Sequence, residues 1–234
     1  VHVRRAIAYA IDKDSITNGL LKGNAQSATA LPAPEQFAAV YDAATATELL
    51  NGVTHYDYDI EKAKEELAQS KVKDGFKTTL GYPASDPNLG KVSLAIAENL
   101  KQIGIELEVK EQTLEQWLAD VGNGEQGIAW MSYTPTTGEP GEITNWLLSE
   151  YNPASWVNED VFRLTAEAQS APDDSAQIDL VIESNSIAQE DVIYAPVYWG
   201  KQGTVFAAGV SYDDYNSYSL VSYWPLQFKI ENTQ

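Results

Sequence analysis

Cysteine is absent from this chain, so it has neither a disulfide framework nor a thiolate metal site, and its redox compartment stays open. Histidine occurs only as His2 and His55, and neither sits in an H-E-x-x-H or Cys/His spacing, so no zinc site is expected. Positive charge is scarce. Against 34 acidic residues stand 15 basic ones, a net charge of −19, which repels phosphate backbones and anionic headgroups and argues against nucleic-acid binding. No stretch approaches the roughly eighteen uninterrupted apolar residues of a membrane span. A G-x-S-x-G nucleophile elbow, a P-loop and an internal repeat are also missing. Gly122 to Gly127 matches G-x-G-x-x-G, but it follows a helix and precedes a strand, the reverse of the phosphate-binding context, and Glu125 would repel a pyrophosphate. Asp213-Asp214 lacks the alternating ligands and glycine of a calcium loop and reads as a solvated turn.

What is present is globular: 44% hydrophobic residues over 234 positions suffice for one large domain or two small ones. The chain opens inside a helix with no start signal before it, which reads as a fragment of a longer protein. Val3, Ala6, Ile7, Ala10 and Ile11 form its apolar stripe, with Arg4 and Arg5 off it. Asp12 caps a second helix from Lys13 to Lys22, with Ile16, Leu20 and Leu21 inward and Gly23 as its left-handed stop. Asn24 to Thr54 reads as a long loop with one short helix near Ala46 to Leu50. Asp59 caps a helix from Ile60 to Ser70.

A strand from Lys77 to Tyr82, a helix from Leu89 to Ile103 ended by Gly104, and an alternating strand from Ile105 to Lys110 make a right-handed βαβ unit. Thr113 starts a short helix through Leu118, and Ile128 to Ser132 is a strand after the Gly122–Gly127 turn. Helices follow over Glu142 to Glu150, Glu159 to Ala168 with Asn158 as cap, and Ser175 to Gln189. Val192 to Trp199 is extended, with Pro196 at an edge or bulge, and the chain beyond Gly203 is Tyr-rich and strand-like.

Three phrases, V-R-R-A-I-A-Y-A-I-D-K-D-S-I, Y-D-I-E-K-A-K-E-E-L and L-K-Q-I-G-I-E-L-E-V, occur in an order that resembles the peptide/nickel-type solute-binding proteins of bacterial ABC importers. The resemblance implies an α/β, periplasmic-binding-protein-like (type II) lobe, with a mixed sheet flanked by helices and a β-rich C-terminal tail. Residues 1–199 would form the second of two lobes, and residues 200–234 would return toward the first lobe, which lies outside this sequence. It further implies capture without chemistry or cofactor, by a monomer that holds a peptide or similar small solute between lobes and delivers it to an ABC permease. The export signal and any lipid-anchoring Cys would then precede Val1, with the protein in the periplasm or anchored on the extracellular face of the membrane.

The segment Ile128 to Pro140 bears most on function. A strand ending in Trp130, Met131, Ser132 and Tyr133 and opening into a Thr/Gly/Pro loop suits a cleft rim of amphipathic side chains, although Trp130 as plain core is an equal reading of the residues alone. The resemblance favours the rim, since the corresponding strand end carries a ligand-lining tryptophan. Peptide-binding relatives commonly have an aspartate three residues later; here stands Tyr133. An uncharged phenol cannot replace a carboxylate opposite a cation, so Glu139 or another acid supplies the charge, or the ligand is not a free-amine peptide. Tyr82, at a strand end beside Pro83, is a second candidate wall. The alternative reading is a secreted carbohydrate-active enzyme or carbohydrate-binding domain, with Glu139, Glu142 and Glu150 near Trp146 as its acids, although such acids commonly mark helix starts. A receptor domain on the same fold is a third.

Overall fold

The structure is a computed structural model; it describes residues 1–123, 127–201, 203–213, 215, 219 and 224–230. Its centre is the expected βαβ unit. Strand β2 (Phe76–Pro83) pairs in parallel with β3 (Ile105–Gln112), from Phe76 opposite Ile105 to Pro83 opposite Gln112. Helix α4 (Pro87–Lys101) crosses between them, started by Asp86, whose carboxylate accepts from the Asn88 and Leu89 N–H groups. Its inward face is Leu89, Val92, Ile96 and Leu100, with Ile103 just beyond, all buried. The unit begins at a point that only glycine fits. Gly75 has φ +91°, and a Cβ there would lie 2.1 Å from the Gly104 carbonyl oxygen.

Helix α1 (His2–Tyr9) lies against α3 (Ile60–Ala68), and Ala6, Ala10, Ala63 and Leu67 join the core beside the sheet. Asp59 caps α3 as expected. Arg4 and Arg5 stay off the stripe and donate to the Asp191 and Glu190 carbonyls at the end of α8 (Asp174–Asp191), where cations oppose the helix dipole. The following turn is wound more widely than an α-helix. Residues Ser15–Leu20 are π-helical, with the Leu21 N–H reaching the Ile16 carbonyl, and the extra residue per turn leaves Leu20 39% exposed rather than inward. Gly23, at φ +75°, provides the left-handed exit.

The supposed loop from Asn24 to Thr54 holds more structure than its composition suggests. Strand β1 (Ala25–Ser27) pairs antiparallel with β5 (Tyr198–Gly200), a 3₁₀ turn spans Pro34–Phe37, and α2 (Ala43–Asn51) is capped by Asp42. Ala-Gln-Ser has no alternation of its own; its partner makes it a strand. Helix α5 (Leu114–Asn123) runs past Leu118 and absorbs the start of the glycine turn, of which residues 124–126 lie outside the described residues.

Strand β4 is only Ile128–Ala129, pairing in parallel with Leu80 and Gly81, shorter than the expected Ile128 to Ser132. Beyond Ala129 the Trp130 side chain turns into the core, and the ladder ends there. Helices α6 (Glu142–Leu148), α7 (Glu159–Gln169) and α8 pack together around Ile143, Leu147, Leu148 and Val161. Asn158 caps α7 through the Val161 N–H at 3.1 Å. Asn158→Ala is expected to cost about 1 kcal/mol in urea denaturation, and an unchanged midpoint would show that the cap contributes nothing.

Strand β6 (Val210–Tyr212) pairs antiparallel with β7 (Phe228–Ile230). Among the described residues the expected mixture of strand directions is thus divided: one parallel sheet, in the order β3-β2-β4, and two antiparallel pairs. Asp213 lies beside Lys229, while Asp214 falls outside the described residues.

Candidate functional site

In open α/β sheets ligands bind beyond the carboxyl ends of the strands, and the end of β4 is where the candidate residues gather. Trp130 is 9% exposed, and its indole Nε1–H donates to the Ser93 Oγ at 2.7 Å, while that hydroxyl donates onward to the Leu89 carbonyl at 2.7 Å. Trp130 is therefore core, buried against α4, with its polar atom satisfied. It also walls a cavity of about 500 Å³, together with Ile7, Phe76, Leu107, Met131 and Val197. Tyr133 stands at the edge of that cavity, and Ser132 beside it is exposed.

Tyr133 does not point a free phenol outward. Its hydroxyl donates to Glu142 Oε1 at 2.6 Å, and its ring stacks on Trp146 at 5.3 Å between centroids and 24° between planes. Trp146 is 43% exposed, so one face of the pair meets solvent. Glu142, in the first turn of α6, also accepts from the N–H and hydroxyl of both Thr136 and Thr137, at 2.6 to 3.1 Å. Burial pushes the Glu142 carboxyl up, but the Thr137 and Tyr133 hydroxyls and the two backbone N–H groups outweigh it and hold the group down at about 2. Burial first, and then the bond to Glu142, push the Tyr133 phenol up to about 12. The pair forms a clasp that fixes the loop between β4 and α6.

This clasp makes a pH prediction. The folded pKa lies below the ordinary value of 4.5, so the carboxylate stabilises the fold fully above about pH 4.5 and loses that contribution as pH falls toward 2. Glu142→Gln is accordingly expected to melt below wild type at neutral pH, with the gap closing on acidification through that window. A gap independent of pH would show that the clasp does not carry this charge.

Trp130, Met131, Ser132 and Tyr133 are thus brought to one cavity, whereas Tyr82 and Glu139 are not. The Tyr82 hydroxyl donates to Glu111 Oε2 at 2.8 Å, and its ring lies against Gly90, where a Cβ would approach it to 2.6 Å. Glu139 is exposed, at the base of the loop, and Glu150 is also exposed. Of the acids near Trp146, Glu142 is held by its own loop, with five donors on its two oxygens. His2 pairs with Glu66 at 2.7 Å and His55 with the Val53 carbonyl at 2.7 Å. Trp146 as the partner of Tyr133 was not legible from spacing. The only signal is the Thr136-Thr137 pair placed before an acid that opens a helix. Lys13 is half-buried and donates to the Ala28 carbonyl at 2.8 Å; desolvation holds its ammonium down at about 8, against the pull of Asp57 and Asp14.

Residues 1–155 match the family described as bacterial extracellular solute-binding proteins, family 5 Middle. The chain is 27% identical to the probable D,D-dipeptide-binding periplasmic protein DdpA of Escherichia coli K12, over 84% of its length but 37% of that protein's. Among solved structures it resembles the Helicobacter pylori periplasmic binding protein DppA in complex with the peptide STSA, with a TM-score of 0.79 at 21% identity, over 99% of this chain and 44% of that one. It also resembles a mannohexaose-bound periplasmic oligopeptide-binding protein from Thermotoga maritima, with a TM-score of 0.70 at 21% identity, over 86% of this chain and 41% of that one. The chain therefore spans well under half the length of these proteins.

Proposed function

The chain belongs to the bacterial extracellular solute-binding proteins of family 5, and from that premise we propose that it is one lobe of the substrate-binding component of an ABC importer, capturing a peptide or similar small solute. The observation that carries the reading is the Tyr133–Trp146 stack, fixed at the carboxyl end of β4 by the Glu142 clasp and open to solvent on one face. A preorganised aromatic face of this kind gives a ligand apolar contact without an ordering cost. Ser132, exposed at the same edge, supplies a polar atom, and a second lobe would close over it. No catalytic role is assigned to the chain.

Glu142 has no lone pair to spare for a ligand ammonium group, because five donors already converge on its two oxygens. Tyr133 in place of the usual aspartate therefore points to a solute whose binding here does not rest on a free amine. The DdpA relative is named for dipeptides and the Thermotoga neighbour holds mannohexaose, so both chemistries belong in the test. Residues 200–234 would cross back to the other lobe, and the whole would act as a monomer beside its permease, in the periplasm or lipid-anchored outside the cell.

Native mass spectrometry of the full-length protein tests the reading. The expected result is a bound peptide or peptide-like solute released on denaturation. A protein that instead hydrolyses glycans, with loss of that activity on changing one acid, would establish the carbohydrate-active alternative.

A further inference from the structure

Besides the large cavity there is a small one of about 10 Å³, lined by Lys13, Thr29, His55 and Ala195 among others. Its polar atoms do not satisfy one another. Thr29 Oγ1 is shut off from solvent and has no hydrogen-bond partner among the described residues. The Lys13 ammonium carries three N–H groups, and the Ala28 carbonyl takes one of them at 2.8 Å. His55 Nδ1 lies 2.7 Å from the Val53 carbonyl, which can only accept, so Nδ1 holds the proton and Nε2 of the neutral ring is an acceptor. Nε2 stands 3.7 Å from the nearer Asp57 oxygen, too far for a hydrogen bond. Tyr56 and Gln189, also on the wall, are already joined, the Tyr56 hydroxyl donating to the Gln189 carbonyl at 2.9 Å. The backbone around Thr29 is held on both sides. The Ala28 N–H donates to the Val197 carbonyl at 3.2 Å, and the Ala30 carbonyl accepts from Trp199 Nε1 at 3.1 Å. The hydroxyl thus stays at this cavity.

We infer that the small cavity is a binding site for one ordered water molecule, which joins the Thr29 hydroxyl to the Lys13 ammonium and gives a hydrogen to His55 Nε2. Buried hydroxyls in native structures are paired, with protein groups or with ordered water. A single water needs roughly 10–15 Å³ and two to four polar partners, and this cavity offers the volume of one water with three partners on its wall. A larger solute does not fit. Charge argues against an ion of either sign: a cation meets the Lys13 ammonium, and an anion meets the Asp57 and Asp14 carboxylates that already attract that ammonium. A neutral molecule that both donates and accepts suits all three partners at once. The water ties together stretches that are distant in sequence, the corner after α1, residues 28–30 and residues 53–56. It extends the bond from Lys13 to Ala28 by one step to the next residue. The inference does not depend on the nature of the transported solute.

The test is a crystal structure of the full-length protein at a resolution that shows ordered waters, from crystals with and without a bromide soak. The expected result is one isolated peak within about 3.2 Å of both Thr29 Oγ1 and Lys13 Nζ, with no anomalous signal from bromide at that point. Thr29→Val keeps nearly the same shape without the hydroxyl and is expected to lose the peak, whereas Thr29→Ser is expected to keep it. A Thr29 hydroxyl bonded to a protein atom, a cavity without density, or a bromide signal in place of the water overturns the inference. So does a peak that the valine variant retains unchanged, because Thr29 would then not hold it. Where the valine variant does not fold, the unmodified and serine proteins decide, since both must show the peak.

Discussion

Trp130→Ala in the full-length protein is expected to lower stability by about 3–5 kcal/mol, measured as the shift in urea unfolding, and to do so more than it weakens solute binding in the molecules that stay folded. The indole is 9% exposed, packs in the cluster that holds Leu89, Val92 and Ile96, and bonds through Nε1 to a Ser93 hydroxyl that is itself fully buried. Truncation opens a void between β4 and α4 and removes that bond. Trp130→Phe is expected to cost less, because Ser93 keeps its own acceptor at Leu89 and no donor is stranded. A tryptophan closing a strand before a Thr/Gly/Pro loop invites the opposite ranking, with binding affected first. That ranking would be restored if the alanine variant kept the unfolding midpoint and lost the solute.

Separating this chain from the rest of the protein is expected to weaken solute binding at least about 100-fold. Small-solute sites commonly enclose most of the ligand surface, and on the proposed two-lobe reading this chain would supply one wall alone, the Tyr133–Trp146 face with Ser132 beside it. If that wall supplies about half of a micromolar binding energy, some 8 kcal/mol, what remains corresponds to millimolar affinity. Circular dichroism distinguishes a folded lobe that does not bind from an unfolded one. An isolated, folded chain that binds as tightly as the full-length protein would place the whole site within these residues.

Much of the fold was legible because it is written locally. The periodic faces of α1 and α4 and the capping residues Asp59 and Asn158 rest on contacts within a few residues, and the βαβ crossover on the succession of strand, helix and strand patterns; the structure keeps each of them. What was not legible depends on distant partners. Strand β1 exists because β5, nearly the whole chain away, pairs with it. The π-helical winding that turns Leu20 outward leaves no mark in the hydrophobic pattern. The candidate site divides the same way. Residues 130–133 could be singled out as a strand end, but which of them is core follows from Ser93 on the opposing helix, and the purpose of Tyr133 from Glu142 and Trp146 on the next one. Tyr82, by the same logic, is a packing contact of Gly90 and Glu111 rather than a wall of the cavity.

The most direct measurement is calorimetric titration of the full-length protein with free-amine and N-acetylated peptides and with mannohexaose, before and after Trp146→Ala. Trp146 is 43% exposed, so its loss should leave the fold intact. The account predicts that peptides bind, that acetylation of the amine changes affinity little, and that Trp146→Ala weakens binding about tenfold or more, the scale of a lost aromatic contact. Absence of peptide binding, or binding that Trp146→Ala leaves unchanged, would contradict it.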